Sequence, residues 1–171
     1  MSSEIIMKPI GVISSPRKDV SDNVPIQGAL DPESEGIIRV YPEFEGGLRD
    51  LDGFSHLIVI YAFHRCRGSR LTVRPYMDTK ERGVFATRSP HRPNHIGLTV
   101  AKLVAIENNC IHISGIDVID GTPVLDIKPY MPSFDSVPDA RTGWADKYIT
   151  GNQKPVSTAT RSNAEWNHGR E

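Results

Sequence analysis

The octapeptide His56-Leu-Ile-Val-Ile-Tyr-Ala-Phe63 constrains the fold more than any other segment of the chain. It is strand-length and apolar on both faces, so it belongs at the centre of a sheet rather than at an edge. Shorter runs of the same character surround it. Residues 10–14 are closed by Ser15-Pro16 and residues 36–40 are ended by Pro42. Residues 98–106 and 110–115 flank Glu107-Asn108-Asn109, which reads as a hairpin turn, and residues 123–127 form a last candidate strand. Helical signals are confined to one or two turns in 43–51 and another short stretch in 138–148. Thirteen prolines and 14 glycines interrupt the rest too often for long helices. The pattern predicts a mostly β protein, a single closed or nearly closed β-barrel with a few short helices. No Gly-x-Gly-x-x-Gly follows a strand and no phosphate-binding Gly-Lys-Ser/Thr loop occurs, which disfavours a doubly wound nucleotide-binding domain.

Composition sets the scale. The chain has 171 residues, enough for one domain with its own core, which we assign to residues 1–150. From Gly151 the apolar character disappears, so 151–171 reads as a polar tail, flexible or loosely docked, with Trp166 as its one possible anchor. Mean hydropathy is −0.34, and no apolar run approaches the roughly 20 residues of a membrane helix. The opening Met1-Ser2-Ser3-Glu4 lacks a signal-peptide pattern. Two cysteines, Cys66 and Cys110, make neither a disulfide framework nor a zinc site. The expectation is a cytoplasmic protein with reduced thiols and no membrane association.

The net charge of −1 hides a strong asymmetry. Residues 1–63 carry five Lys/Arg against ten Asp/Glu, and 95–171 carry seven against nine. Residues 64–94 carry eight Lys/Arg against only Asp78 and Glu81, a balance of +6. Such a segment suits a polyanion such as RNA, because each phosphate contact releases condensed counterions. The alternative is that these arginines pair with carboxylates elsewhere on the fold.

Residues 83–98 read Gly-Val-Phe-Ala-Thr-Arg-Ser-Pro-His-Arg-Pro-Asn-His-Ile-Gly-Leu. Pro90 and Pro93 forbid a regular helix or central strand, which predicts an ordered loop. Arg88 and Arg92 offer planar forks for carboxylate or phosphate, and Asn94 can donate to or accept from a base edge. The competing role for these arginines is to pin their own loop. His91 and His95 have the spacing of a helical metal pair, but Pro93 lies between them and no carboxylate accompanies them; no metal site is predicted. His64, just after the central run, is either a substrate contact or a hydrogen-bonded core histidine.

Residues 117–130 read Asp-Val-Ile-Asp-Gly-Thr-Pro-Val-Leu-Asp-Ile-Lys-Pro-Tyr. The turn Asp120-Gly121-Thr122-Pro123 has backbone groups that could face a ligand. Asp126, Lys128 and Tyr130 are two apart, so an extended chain turns all three to one face. They form either a catalytic wall or a surface ion pair of little energetic consequence.

Three of these stretches together resemble the TsaA-like (TrmO-type) family of S-adenosylmethionine-dependent β-barrel tRNA methyltransferases. They are the opening Pro-Ile-Gly-Val-Ile, the Gly-Val-Phe-Ala-Thr-Arg-Ser loop with Arg-Pro-Asn, and Asp-Gly-Thr-Pro-Val-x-Asp-Ile-Lys-Pro-Tyr. The resemblance implies methylation of the exocyclic amine, N6, of threonylcarbamoyl-adenosine beside the anticodon, by a homodimer. It implies that the donor contacts Pro25, Ile26, Gln27, His64, Arg65, Arg88, Leu98, Asp120, Gly121, Thr122 and Pro123, at one end of the barrel. Arg65 stands where the family often has glutamine, and His95 where it usually has proline. Arg67, Arg70, Arg92 and Asn94 are then expected to hold the tRNA anticodon stem-loop. Asp126, flanked by Lys128 and Tyr130, is the candidate base for the departing proton. Two other readings stay open: an RNA- or S-adenosylmethionine-binding barrel without catalysis, and a small-molecule methyltransferase.

Overall fold

A computed structural model of the chain describes residues 4–19, 31–76 and 78–149. They divide into two compact units, Met1–His64 with Ile96–Tyr130, and Arg65–His95 with the chain from Met131. Pro25, Ile26 and Gln27, and the tail 151–171 with Trp166, lie outside the described residues.

The first unit is a closed barrel of six strands. In chain order these are β1 (Gly11–Ser14), β2 (Glu35–Val40), β3 (His56–Ala62), β6 (Ile96–Glu107), β7 (Cys110–Ser114) and β8 (Thr122–Pro129). Two further strands, β4 (Thr72–Val73) and β5 (Arg82–Gly83), belong to the second unit. Around the barrel the order is β1-β2-β7-β6-β3-β8, and every pairing is antiparallel. The six strand-like runs of the sequence therefore correspond to the six barrel strands. Closure removes the free edges that a short sheet of this kind would expose.

Period-2 alternation fills the interior. Leu57, Val59 and Tyr61 of β3 point inward beside Ile13, Ile38, Ala101, Ile111, Ile113 and Val124, all buried. Each such aliphatic side chain contributes roughly 1.5–3 kcal/mol by leaving water. The opposite face of β3 is only half-buried: Ile58 and Ile60 lie across from Val100 and Leu98. The strand is central in the sense that both its edges are paired, but its second apolar face looks outward. The β6–β7 hairpin turns on Asn108 and Asn109, with Asn108 at φ +54°, a conformation asparagine tolerates. Glu107, predicted in the turn, still pairs with Cys110. Residues 43–51 form 3₁₀ turns, Pro42–Leu48 and the start of Leu51–Gly53, rather than an α-helix.

The second unit contains the β4–β5 ribbon and short helical turns. A 3₁₀ turn spans Val84–Ala86, α1 is Pro132–Asp135, and a 3₁₀ turn at Gly143–Ala145 leads into α2, Asp146–Ile149. Residues 138–142, expected to be helical, are not. The predicted 83–98 loop is shorter than its sequence suggested. Gly83 pairs in β5, and Ile96-Gly97-Leu98 already belong to β6, opposite Ala62-Tyr61-Ile60.

Candidate functional site

The barrel register brings several of the predicted residues to one end. Ala62 pairs with Ile96, Tyr61 with both Gly97 and Val124, and Thr122 with Ile13. His64, Leu98 and the turn Asp120–Pro123 thus share the end where β3 and β1 finish and β6 and β8 begin. His64 is exposed, so the core-histidine alternative does not hold.

The Asp120 turn is less open than expected. The N–H groups of Asp120 and Gly121 donate to Arg17 O at 2.7 Å and Ile13 O at 2.9 Å, sewing β8 to the end of β1. Gly121 sits at φ +76°, where a side chain would be strained. Thr122 is buried, its hydroxyl donating to Ile119 O at 2.7 Å. What faces outward is the Asp120 carboxylate, which accepts from Ser15 N at 2.9 Å and pairs with Lys18 at 3.0 Å. It borders a cleft of about 470 Å³, also lined by Ser15, Lys18, Glu35 and His112. That size and the mixed charge suit a small zwitterionic ligand.

A second feature runs along the barrel's outer wall. On β8, Asp126 lies opposite Ile60, and Lys128 opposite Ile58. On the far side of β3, Ile60 pairs with Leu98 and Ile58 with Val100. Asp126 and Leu98 are therefore two strand spacings apart in one row, about 10 Å. Tyr130 continues the row pattern, its N–H donating to His56 O and its ring 6.4 Å from the His56 ring. The one-face reading of Asp126, Lys128 and Tyr130 agrees with this register. Lys128 Nζ is 2.7 Å from the Asp126 carboxylate, whose other oxygen accepts from Ile127 N at 2.9 Å. The pair stands in solvent beside apolar Ile60, where a carboxylate could meet a cation or a proton.

In the second unit, Arg67, Arg70, Arg88 and Asn94 are all exposed. Arg92 is committed to its own loop: its Nη1 donates to Thr87 O at 2.8 Å and Val84 O at 3.3 Å. The loop-pinning alternative describes this arginine. Its guanidinium also lies 5.9 Å from the Phe85 ring centroid. His95 sits at φ +49° and its Nε2 is 2.8 Å from Gly68 O. A proline there could not take that backbone angle. Cys66 Sγ is 3.3 Å from His91 Nδ1. Burial pushes the Cys66 thiol up; burial, then the charges of Arg70 and His95, push His91 down. Both shifts favour the neutral thiol and imidazole over a thiolate–imidazolium pair. Among the described residues no group of three or more His, Cys, Asp or Glu side chains is arranged for a metal ion.

Sequence reasoning missed the centre of this unit. Asp78 is buried and accepts from Arg82 at 2.6 and 3.0 Å, Tyr148 Oη at 3.0 Å, and the N–H groups of Thr79 and Lys80. The Arg82 bonds above all hold its carboxyl far below the usual carboxylate range, against the opposing effect of burial. Arg82 in turn stacks on Trp144, whose indole donates to Ala86 O at 2.8 Å. Arg82 therefore spends its charge on Asp78, a carboxylate of the basic segment itself rather than one elsewhere on the fold.

The described residues thus comprise a closed antiparallel barrel with a polar turn at one end and a carboxylate–ammonium wall, and an arginine-bearing unit made of the segment between β3 and β6 and the chain after β8. Residues 12–136 match the tRNA-methyltransferase O N-terminal domain, and the chain belongs to that family. It is 49% identical over 145 residues to a Pyrococcus abyssi protein described as a "Probable S-adenosyl-L-methionine-binding protein", covering 85% of this chain and 78% of that one. It is 35% identical to the Homo sapiens tRNA (adenine(37)-N6)-methyltransferase, over 96% of this chain and 38% of the human protein. The crystal structure of TrmO from Pseudomonas aeruginosa aligns with a TM-score of 0.71 at 39% identity, over 85% of this chain and 63% of that one. The chain thus spans less than two thirds of the human and Pseudomonas proteins. Among the described residues no helix is long and apolar enough to cross a membrane.

Proposed function

We propose that this chain is an S-adenosylmethionine-dependent tRNA (adenine-N6) methyltransferase acting on threonylcarbamoyl-adenosine beside the anticodon, in the cytoplasm, as a homodimer. The observation that carries the reading is the family match over 12–136, which includes the Asp120 turn and the Arg88 loop. The cleft beside Asp120 fits the donor's amino-acid moiety, because Lys18 offers a cation for its carboxylate and Glu35 and Asp120 offer anions for its ammonium. His64 and Leu98 stand at the same barrel end as that cleft.

Bound S-adenosylmethionine supplies an electrophilic methyl group. The chain's task is alignment of donor and amine, which accounts for much of the acceleration in a displacement of this kind. Asp126 takes the proton that the exocyclic amine must lose, with Lys128 paired beside it and Tyr130 extending the same wall. Arg67, Arg70 and Asn94 hold the anticodon stem-loop. Arg92, spent on loop carbonyls, contributes by shaping the loop that carries Arg88.

The test is incubation with isotopically labelled donor and bulk tRNA, followed by mass spectrometry of the nucleosides. A gain of one methyl on threonylcarbamoyl-adenosine is expected. Donor binding without any methylated nucleoside would leave the barrel a binding module. Light scattering at the mass of a 19.0 kDa monomer over a broad concentration range would remove the homodimer.

A further inference from the structure

Phe85 is 74% exposed, yet the turn that carries it is held by several hydrogen bonds. Beneath it Val84 is buried at 1% exposure. Val84 N donates to Leu71 O at 2.9 Å, and Val84 O accepts from Thr87 N, Thr87 Oγ1 and Arg92 Nη1. Ala86 O accepts from the Trp144 indole at 2.8 Å, and Thr87 O accepts from Arg92. The ring is thus presented on a braced turn, with the Arg92 guanidinium 5.9 Å from its centroid. The combination of an exposed ring, a hydrogen-bonded turn beneath it and a guanidinium at its side is what an occupant with a flat π-face requires.

We propose that Phe85 is a stacking platform for an unstacked base of the tRNA anticodon loop. The inference rests on the tRNA reading above and adds a residue to it. The setting is that of a single-strand site: an aromatic ring among cations, with Arg88 three residues on and Arg92 at the ring. Every base offers a π-face, so the ring contributes affinity and placement while leaving sequence choice to other groups. Bracing the turn in advance lowers the ordering cost that an exposed aromatic would otherwise incur on binding. Phe85 is a positioning residue; it takes no part in bond making.

The test compares wild type, Phe85→Leu and Phe85→Trp in tRNA methylation, in filter binding to unmodified tRNA transcript, and in donor titration. Phe85→Leu keeps the apolar bulk and removes the π-face. It should raise the tRNA KM and Kd about 5- to 50-fold, with donor affinity, melting temperature and the salt slope of tRNA binding unchanged. Phe85→Trp should restore binding, and its added fluorescence should be quenched by the transcript. Wild-type tRNA affinity in Phe85→Leu, or loss of donor affinity in parallel with tRNA affinity, overturns the platform while the tRNA reading stands. Failure of the wild-type chain to bind or methylate tRNA overturns both.

Discussion

The Tyr61 ring lies against Gly97, its cross-strand partner: a Cβ built at position 97 would sit 2.2 Å from Tyr61 Cε2 and 2.5 Å from Cζ. The ring is buried and packs edge-on against Phe63 at 5.3 Å, so it has no room to retreat. The glycine of Ile96-Gly97-Leu98 is therefore a packing requirement of the barrel end that carries Leu98. Gly97→Ala should destabilise the fold by about 1–3 kcal/mol through overpacking. Gly97→Ala combined with Tyr61→Leu should recover part of the loss, and denaturant titration of the three variants measures it.

Arg92 predicts a loop phenotype rather than a simple loss of charge. Arg92→Lys keeps the cation but cannot hold Val84 O and Thr87 O together. Stability should fall by roughly 1–3 kcal/mol. Amide exchange at Val84, Ala86 and Thr87 should rise in the same variant, and unchanged exchange there would show that the loop is braced from elsewhere.

Asp78 predicts a dependence on acid. Its folded-state pKa is held below its ordinary value of 3.8, so its stabilising contribution is fully present above the carboxylate range and is lost as pH falls below it. Asp78→Asn should therefore melt lower than wild type at neutral pH. The gap should narrow as pH drops below about 4, and thermal melts across pH 7 to pH 3 report it. A constant gap at every pH would assign the effect to hydrogen-bond geometry rather than to charge.

Asp126→Asn is nearly isosteric and leaves the backbone of β8 intact. As the proton acceptor's replacement it should slow single-turnover methylation about 100-fold while tRNA and donor affinities hold. Full turnover by this variant would eliminate Asp126 as the base and reduce the Asp126–Lys128 pair to a solvent-facing ion pair.

Charge reversal at Arg67 and Arg70 addresses the RNA surface. If each contacts one phosphate, the log–log salt slope of tRNA binding should flatten by roughly 0.7 to 0.9 per arginine. Donor affinity should not move. An unaltered salt slope would place the phosphate contacts on other cations of the second unit.

The barrel's strands were legible in the chain because their signals are local. The unbroken apolar run Leu57–Phe63 announces a strand without knowledge of what it packs on, and so does the alternation of Ile111, His112 and Ile113. Asn108-Asn109 announces a hairpin because asparagine accepts the left-handed backbone that a tight turn demands. The same period of two put Asp126, Lys128 and Tyr130 on one side of β8 before any partner strand was known. What only the tertiary structure decided were the pairings between residues far apart in sequence. Asp78 meets Tyr148, 70 positions away, and Trp144 meets Ala86 across 58. Neither has a periodic signature, since a buried carboxylate is satisfied by whichever donors the fold delivers. Arg92 shows the limit most plainly. A guanidinium in a motif loop can hold a ligand or its own backbone, its chemistry is the same in both roles, and only the position of two carbonyl oxygens separated them.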